Sequence, residues 1–469
     1  MGTRPDRTHH VARRIGSVVS KVRKSSRHSV SPRLVGWSVL VGLGVGVVVS
    51  IFRALISSSV GMLQDMYSFI GQGNWWVLAI LIPASIGIAV LLAWLVKSEP
   101  LSAGSGIPDV EASLRSTKPV SFPWWRVLWR KIVGGLLAIC PGLFLGREGP
   151  SVQVGASVGM GLSSATTTTR RFRRELVAAG AAAGLSAAFT APIAGVLFVA
   201  EEIYSRFTLK TGISVFTASL SASIVAVEVF GLKPVFDLPH TEVLGIPYYW
   251  QLLVLGIALG FVSWIYEKSL FAGFNLYDAL RIPVILRPAV PLLLVIPVGL
   301  TMPQALGGGN ELVTMLGRAQ LPLDLLVLLF VVRLIGSQIS YGSGLPGGIF
   351  LPMLTLGAIF GAISGKCFIA LGVAPDSQSY ISLMAIVGMA GLFGAVSKAP
   401  LTAIVLVMEM TSYGVLMPLG VVTLLAYLVY DALGGKAIYD ELGERSARRR
   451  RKKTGRNRLE EGETPIPRV

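Results

Sequence analysis

Few residues of this 469-residue chain could do chemistry, because only 14% are charged while 52% are hydrophobic. The pair Arg147 and Glu148, in "GLFLGREGPSVQVGA" at 142–156, interrupts a run of apolar and small residues. An ionisable side chain in such surroundings is a functional candidate by default. Gly146 and Gly149 flank the pair and permit close backbone approach, and Pro150 suits the first turn of a helix. A glutamate near a helix N-terminus takes the place where an external anion would otherwise sit. In the alternative reading Arg147 and Glu148 only neutralise each other, but adjacent helical residues do not face one another.

Two further stretches share this logic. In Gly104-Ser105-Gly106-Ile107-Pro108, Ser105 can cap the following helix or turn its hydroxyl to a ligand, and Pro108 fits the first turn. The same residues also make an ordinary helix start. In "GSGLPGGIFLP" at 342–352, Gly348 leads into Ile349 and Phe350, which bring apolar bulk and two backbone amides. Amides aimed at an anion replace its hydration without a full positive charge, so the ion can also leave. A glycine hinge for close packing is the alternative there. The two cysteines, Cys140 and Cys367, and the four histidines have no metal-ligand spacing, so neither metal nor cofactor is expected. A membrane enzyme would need a converging nucleophile and base, and the "GSG" stretches at 104–106 and 342–344 supply serines without the G-x-S-x-G elbow or a histidine at membrane depth.

The elements that must position these residues are membrane helices. Mean hydropathy is +0.66, and Leu34–Ile56, Trp75–Val96, Trp250–Phe271 and Leu321–Val332 with its flanks approach the ~20 apolar residues of a bilayer span. The net charge of +17 is concentrated at the ends, +8 in residues 1–33 and +7 in residues 445–469. Basic flanks mark the cytoplasmic side and touch anionic lipid, so both termini are expected inside and nucleic acid is not a partner. No secretory signal is evident, since the first apolar run follows a long basic leader. Residues 11–22 carry one apolar helical face that suits the membrane interface.

The chain is also duplicated. "GSGIPDV" at 104–110 matches "GGGNELV" at 307–313, and Arg130 matches Arg333. "GREGPSVQVGA" matches "GIFLPMLTLGA" at 348–358, and "APIAGVLFVAE" at 191–201 matches "APLTAIVLVME" at 399–409. The expected organisation is a basic segment at 1–33, a membrane repeat at 34–231, a linker at 232–248, a second repeat at 249–440 and a basic tail at 441–469. An even number of crossings in two equal halves permits an odd number in each, which would invert one half relative to the other, a design typical of transporters. The fold class is therefore all-α: a polytopic membrane protein of two inverted repeats with helices broken by Gly and Pro. Such breaks are tolerated only inside protein or around a watery cavity. Glu148 has Phe350 as its repeat partner, so only one half carries the carboxylate. Glu201 has Glu409, so it reads as a symmetric structural acid.

"GSGIP", "GREGP" and "GGIFLP", in this order on a duplicated membrane chain, resemble the CLC family of chloride channels and chloride/proton exchangers, over roughly residues 30–440. The resemblance implies chloride and protons as substrates and a homodimer with one pathway per subunit in the cell membrane. It implies that Ser105 and Tyr439 donate hydroxyls to a central chloride, that the amides of Ile349 and Phe350 complete the site, and that Glu148 is the gate. It further implies proton transfer by Glu202, although that acid could also pair with Arg206. The charge of Lys131 would favour anions, and Arg147 would support the gate. A passive chloride channel is the alternative within the family; Glu202 argues against it. The short tail leaves no room for the regulatory domains of eukaryotic members, which implies the bacterial type.

Overall fold

The computed structural model describes residues 31–448 apart from 117, 119, 166–168, 205–206, 237, 239–243 and 412. The interfacial helix expected at 11–22, Arg206 and the tail beyond residue 448 lie outside the described residues. Among those described, the chain is helical with no strand, and Gly146 and Gly348 form one isolated antiparallel bridge.

Before the linker run α1 Pro32–Gly71, α2 Leu78–Ser98, α3 Ile107–Arg115, α4 Trp124–Ile139, α5 Glu148–Ser164, α6 Arg170–Phe189, α7 Pro192–Phe198 and α8 Leu209–Phe230. After it run α9 Tyr249–Ala279, α10 Ala289–Thr301, α11 Asn310–Arg318, α12 Leu323–Gly342, α13 Phe350–Ala370, α14 Gln378–Ser397, α15 Pro400–Met410 and α16 Leu416–Ala432. A last helix, α17, covers 438–448. Prolines stand in the first turns of α3, α7 and α15, where a missing N–H costs nothing. Eight of the helices among the described residues are long and apolar enough to cross a membrane.

Helix α1 is longer than hydropathy indicated. The apolar run ends at Ile56, but the helix continues to Gly71 through Ser57–Ser59, Gln64 and Asp65. Polar side chains end a hydrophobic window without ending a helix. Its 40 residues reach about 60 Å at 1.5 Å per residue, twice the ~30 Å hydrocarbon thickness, so it must tilt or project. Helix α12 takes in the flank past Val332 as far as Gly342, and its 20 residues match one bilayer crossing.

Helices α6 and α14 form the centre, buried from Glu175 to Phe189 and from Tyr380 to Ser397. Around them α1, α2, α8 and α9 expose Ile51, Trp94, Ile224 and Phe261, the apolar surface that lipid requires. Small residues let the central helices touch backbone to backbone, which is how helices associate where water supplies no driving force. A Cβ on Gly155 of α5 would lie 2.0 Å from the Gly180 carbonyl oxygen, and one on Gly357 of α13 would lie 2.3 Å from that of Gly388. Gly180→Val is therefore expected to abolish the monodisperse folded peak in size-exclusion chromatography. Gly61→Val, with nothing within 4 Å of the added atom, should retain it. A normal profile for Gly180→Val would contradict this packing.

The two halves also hold each other reciprocally. Glu201 accepts the amides of Leu401 (3.2 Å) and Thr402 (2.7 Å) at the start of α15. Glu409 accepts those of Ile193 (3.1 Å) and Ala194 (2.8 Å) at the start of α7. Each carboxylate thus meets the positive end of the opposite helix, as expected of a symmetric structural acid. One spacing requires correction: Arg333 corresponds to Lys131 and not to Arg130. Arg333 donates to the carbonyls of Ala305, Gly307 and Gly308, and Lys131 to those of Ser102, Ala103 and Gly104. Arg130, one residue earlier, turns outward to Ser98 and the Trp129 ring. A single helical step of about 100° separates a buried position from a peripheral one.

Candidate functional site

The site is built where helix starts converge. Gly146 and Gly348 exchange both backbone hydrogen bonds at 2.7 Å, which ties the start of α5 to that of α13. The Gly104 N–H donates to the Leu345 carbonyl (3.1 Å) and the Gly347 N–H to that of Gly104 (3.0 Å), which brings in the loop before α3. Gly149 closes the ring: a Cβ there would lie 2.6 Å from the Ser105 Cβ. The three motifs, hundreds of residues apart in part, therefore form one knot. The first-turn amides of each helix lack intrahelical acceptors and add positive potential at the junction.

Ser105 is buried, and its Oγ accepts the Ile107 amide at 3.3 Å. The N-cap position itself belongs to Gly106, at φ 81°, so Ser105 stands one residue before it. Pro108 follows as the second residue of α3, and Pro150 is the third of α5, each inside the first turn. Glu148 opens α5 and is fully buried. The amides of Glu148 and Leu351 lie beside its carboxylate, yet neither oxygen closes a hydrogen bond of normal geometry. Arg147 Nε approaches to 3.8 Å, wider than a hydrogen bond, while its Nη1 donates to Ser57 Oγ at 3.0 Å. The adjacent pair does approach, so its charges partly offset.

Ile349 and Phe350 are both fully buried. The Phe350 ring packs on Phe189, Phe198 and Phe393 at centroid separations of 5.4, 6.0 and 4.1 Å. Phe198 in turn meets the Tyr439 ring edge-on at 6.4 Å. This aromatic cluster positions the Tyr439 hydroxyl from α17, which is buried without a hydrogen-bond partner among the described residues. A buried hydroxyl without a hydrogen-bond partner and a buried carboxylate that Arg147 approaches only to 3.8 Å both call for a functional explanation.

Other candidates stand apart. Lys131 is buried behind the first motif, where it holds three carbonyls rather than the Ser105 side chain. Glu202 is buried in a π-helical turn at Val199–Ile203, an irregularity common at functional sites. Its carbonyl accepts Arg115 Nη2 at 2.7 Å, and Arg115 also bridges Glu111 and Asp440, each at 2.7 Å. Asp440 adjoins Tyr439, so this polar cluster leads from Glu202 toward an exposed edge. Sequence reasoning missed Arg115 and Asp440; the i, i+4 spacing of Glu111 and Arg115 was the available signal.

Two cavities approach the knot without sharing a lining residue. One of about 260 Å³ is lined by Arg53, Arg147, Leu351 and Glu311, and the other, about 120 Å³, by Gly104, Ser105, Tyr341 and Arg445. Arg53 was not anticipated; its Nη1 donates to Thr190 Oγ1 at 3.0 Å and its guanidinium lies 4.0 Å from the Phe230 ring.

Comparison with known proteins matches this arrangement. The voltage gated chloride channel family model covers residues 88–431. An H(+)/Cl(-) exchange transporter ClcA of Vibrio parahaemolyticus is 37% identical over 385 residues, 79% of this chain and 80% of the relative. One from Salmonella arizonae is 36% identical over 377 residues, 78% of each. The crystal structure of a slow cyanobacterial Cl-/H+ antiporter, 33% identical, superposes with a TM-score of 0.81 over 89% of this chain and 99% of the other. With the helix-start knot and the duplicated all-helical body, these matches establish that the chain belongs to the voltage gated chloride channel (CLC) family.

Proposed function

We propose that this chain is a secondary active transporter that exchanges chloride for protons. The observation that carries the reading is the Glu148 carboxylate, fully buried where two helix starts meet and, among the described residues, without a hydrogen bond of normal geometry to either oxygen. Ionised, it occupies the positive junction as a tethered anion and blocks the route between the two cavities. Protonated, it loses that attraction and yields the place to chloride, which Ser105, Tyr439 and the amides of Ile349 and Phe350 then receive. Two unit charges 4 Å apart repel by about 4 kcal/mol at an effective dielectric near 20. Chloride entry and protonation of Glu148 therefore favour each other, which is the coupling that exchange requires.

Glu202 carries the proton on a branch separate from chloride, through the neighbourhood of Arg115 and Asp440. Gly104, Gly106, Gly146, Gly149 and Gly348 allow the close approach of the helix starts, and Pro108 and Pro150 set their first turns. Lys131 holds the first motif in place, and its buried charge raises the potential behind it. Arg53 and Arg147 make the larger cavity attractive to anions. The family resemblance supports a homodimer with one pathway per subunit. Basic ends support a cell-membrane orientation with both termini cytoplasmic and in contact with lipid.

The test is a reversal potential in reconstituted liposomes under opposed chloride and pH gradients. Exchange requires that the potential move with the pH gradient and that a chloride gradient drive protons uphill. A potential that tracks chloride alone at every pH would make the chain a passive channel.

A further inference from the structure

The smaller cavity carries a hydroxyl that this mechanism does not use. Tyr341, at the end of α12, is 4% exposed and lines the 120 Å³ space together with Gly104, Ser105 and Gly106. Its ring stands edge-on to Phe274 at 5.8 Å, which fixes its direction. Its hydroxyl faces both the side chain and the backbone of Ser105, and a methyl on Gly104 would come within 3.3 Å of that oxygen. The repeat has no equivalent: at the offset of Gly146 to Gly348, Ile139 takes the place of Tyr341, and at the offset of "GSGIPDV" to "GGGNELV", Gly308 takes that of Ser105. Ser105 stands against the phenol oxygen, and the cavity lies on the open side of the O–H. The cavity it lines reaches Ser105, where the proposed pathway needs donors.

We propose that Tyr341 is a further anion-binding and specificity-determining residue: its hydroxyl donates to chloride on the cavity side of Ser105, so the pathway carries three hydroxyl donors instead of two. This rests on the chloride/proton reading above. The two oxygens form a relay, in which an anion held by Tyr341 passes to Ser105 and Tyr439 without returning to bulk water.

Tyr341→Phe keeps the ring against Phe274 and removes only the hydroxyl. In the purified full chain, calorimetric titration should show chloride affinity weakened about tenfold, the effect of one hydrogen bond to a charged group. The rise in unfolding temperature produced by chloride should shrink accordingly. If Tyr341→Phe instead lowers the unfolding temperature in chloride-free buffer and leaves the chloride increment and affinity unchanged, Tyr341 only fills space and the proposal falls. A native chain that binds no chloride would overturn the parent reading as well.

Discussion

Glu148→Ala is expected to abolish proton movement completely while chloride flux continues. The buried carboxylate is assigned two tasks, closing the junction as a tethered anion and accepting the transported proton, and alanine can do neither. With the helix starts still locked by the Gly146–Gly348 bridge, chloride finds the vacated place permanently open. Native flux should rise as pH falls, because protonation releases the gate; flux through the variant should be flat with pH. Glu148→Gln, which resembles the protonated side chain, should behave the same way and controls for the cavity that alanine leaves. Parallel chloride-electrode and pH-electrode recordings from proteoliposomes check both outcomes. Proton pumping that survives either substitution would remove Glu148 from the mechanism.

Glu202→Gln should also stop protons and spare chloride, for a different reason. Gln has nearly the same shape, and the contact that ties this turn to Arg115 uses the residue 202 carbonyl, which the substitution leaves intact. The π-helical turn and the Phe198–Tyr439 contact should therefore survive, and with them the anion site. What disappears is the only titratable atom pair at that position. Uphill proton movement should fall to the liposome background, with calorimetric chloride affinity unchanged within about twofold, since a removed charge at a distance is well screened at an effective dielectric near 20. Unaltered proton flux would place the proton branch elsewhere; lost chloride binding would mean that the turn had collapsed.

Much of this site was legible because helix starts in apolar surroundings have a narrow chemical vocabulary. Gly and Pro at fixed offsets announced the breaks, and Glu148 stood out because an acid there has few reasons to exist. The pairing of Glu201 with Glu409 was readable from the repeat alone, since symmetric capping requires the same residue twice. Arg130 was misassigned because one-residue register on a helix is decided by packing, which spacing does not record. Tyr341, Arg53 and the link from Arg115 to Asp440 were missed for a related reason. Thr190 for Arg53, Ser105 for Tyr341 and Asp440 for Arg115 are all distant in sequence, and tyrosine and arginine have many ordinary uses.

By itself, the amino-acid sequence determined the membrane-helical class, the duplication and the identities of the residues that interrupt the helices. These follow from local rules, in which hydropathy sets spans and backbone geometry restricts what can stand at a break. Only the tertiary structure decided which breaks meet, which carboxylate is buried at their junction and which hydroxyls line a cavity. Those outcomes depend on contacts between distant helices, on angstrom-scale fits such as Gly155 against Gly180, and on the burial that makes an unpaired charge expensive.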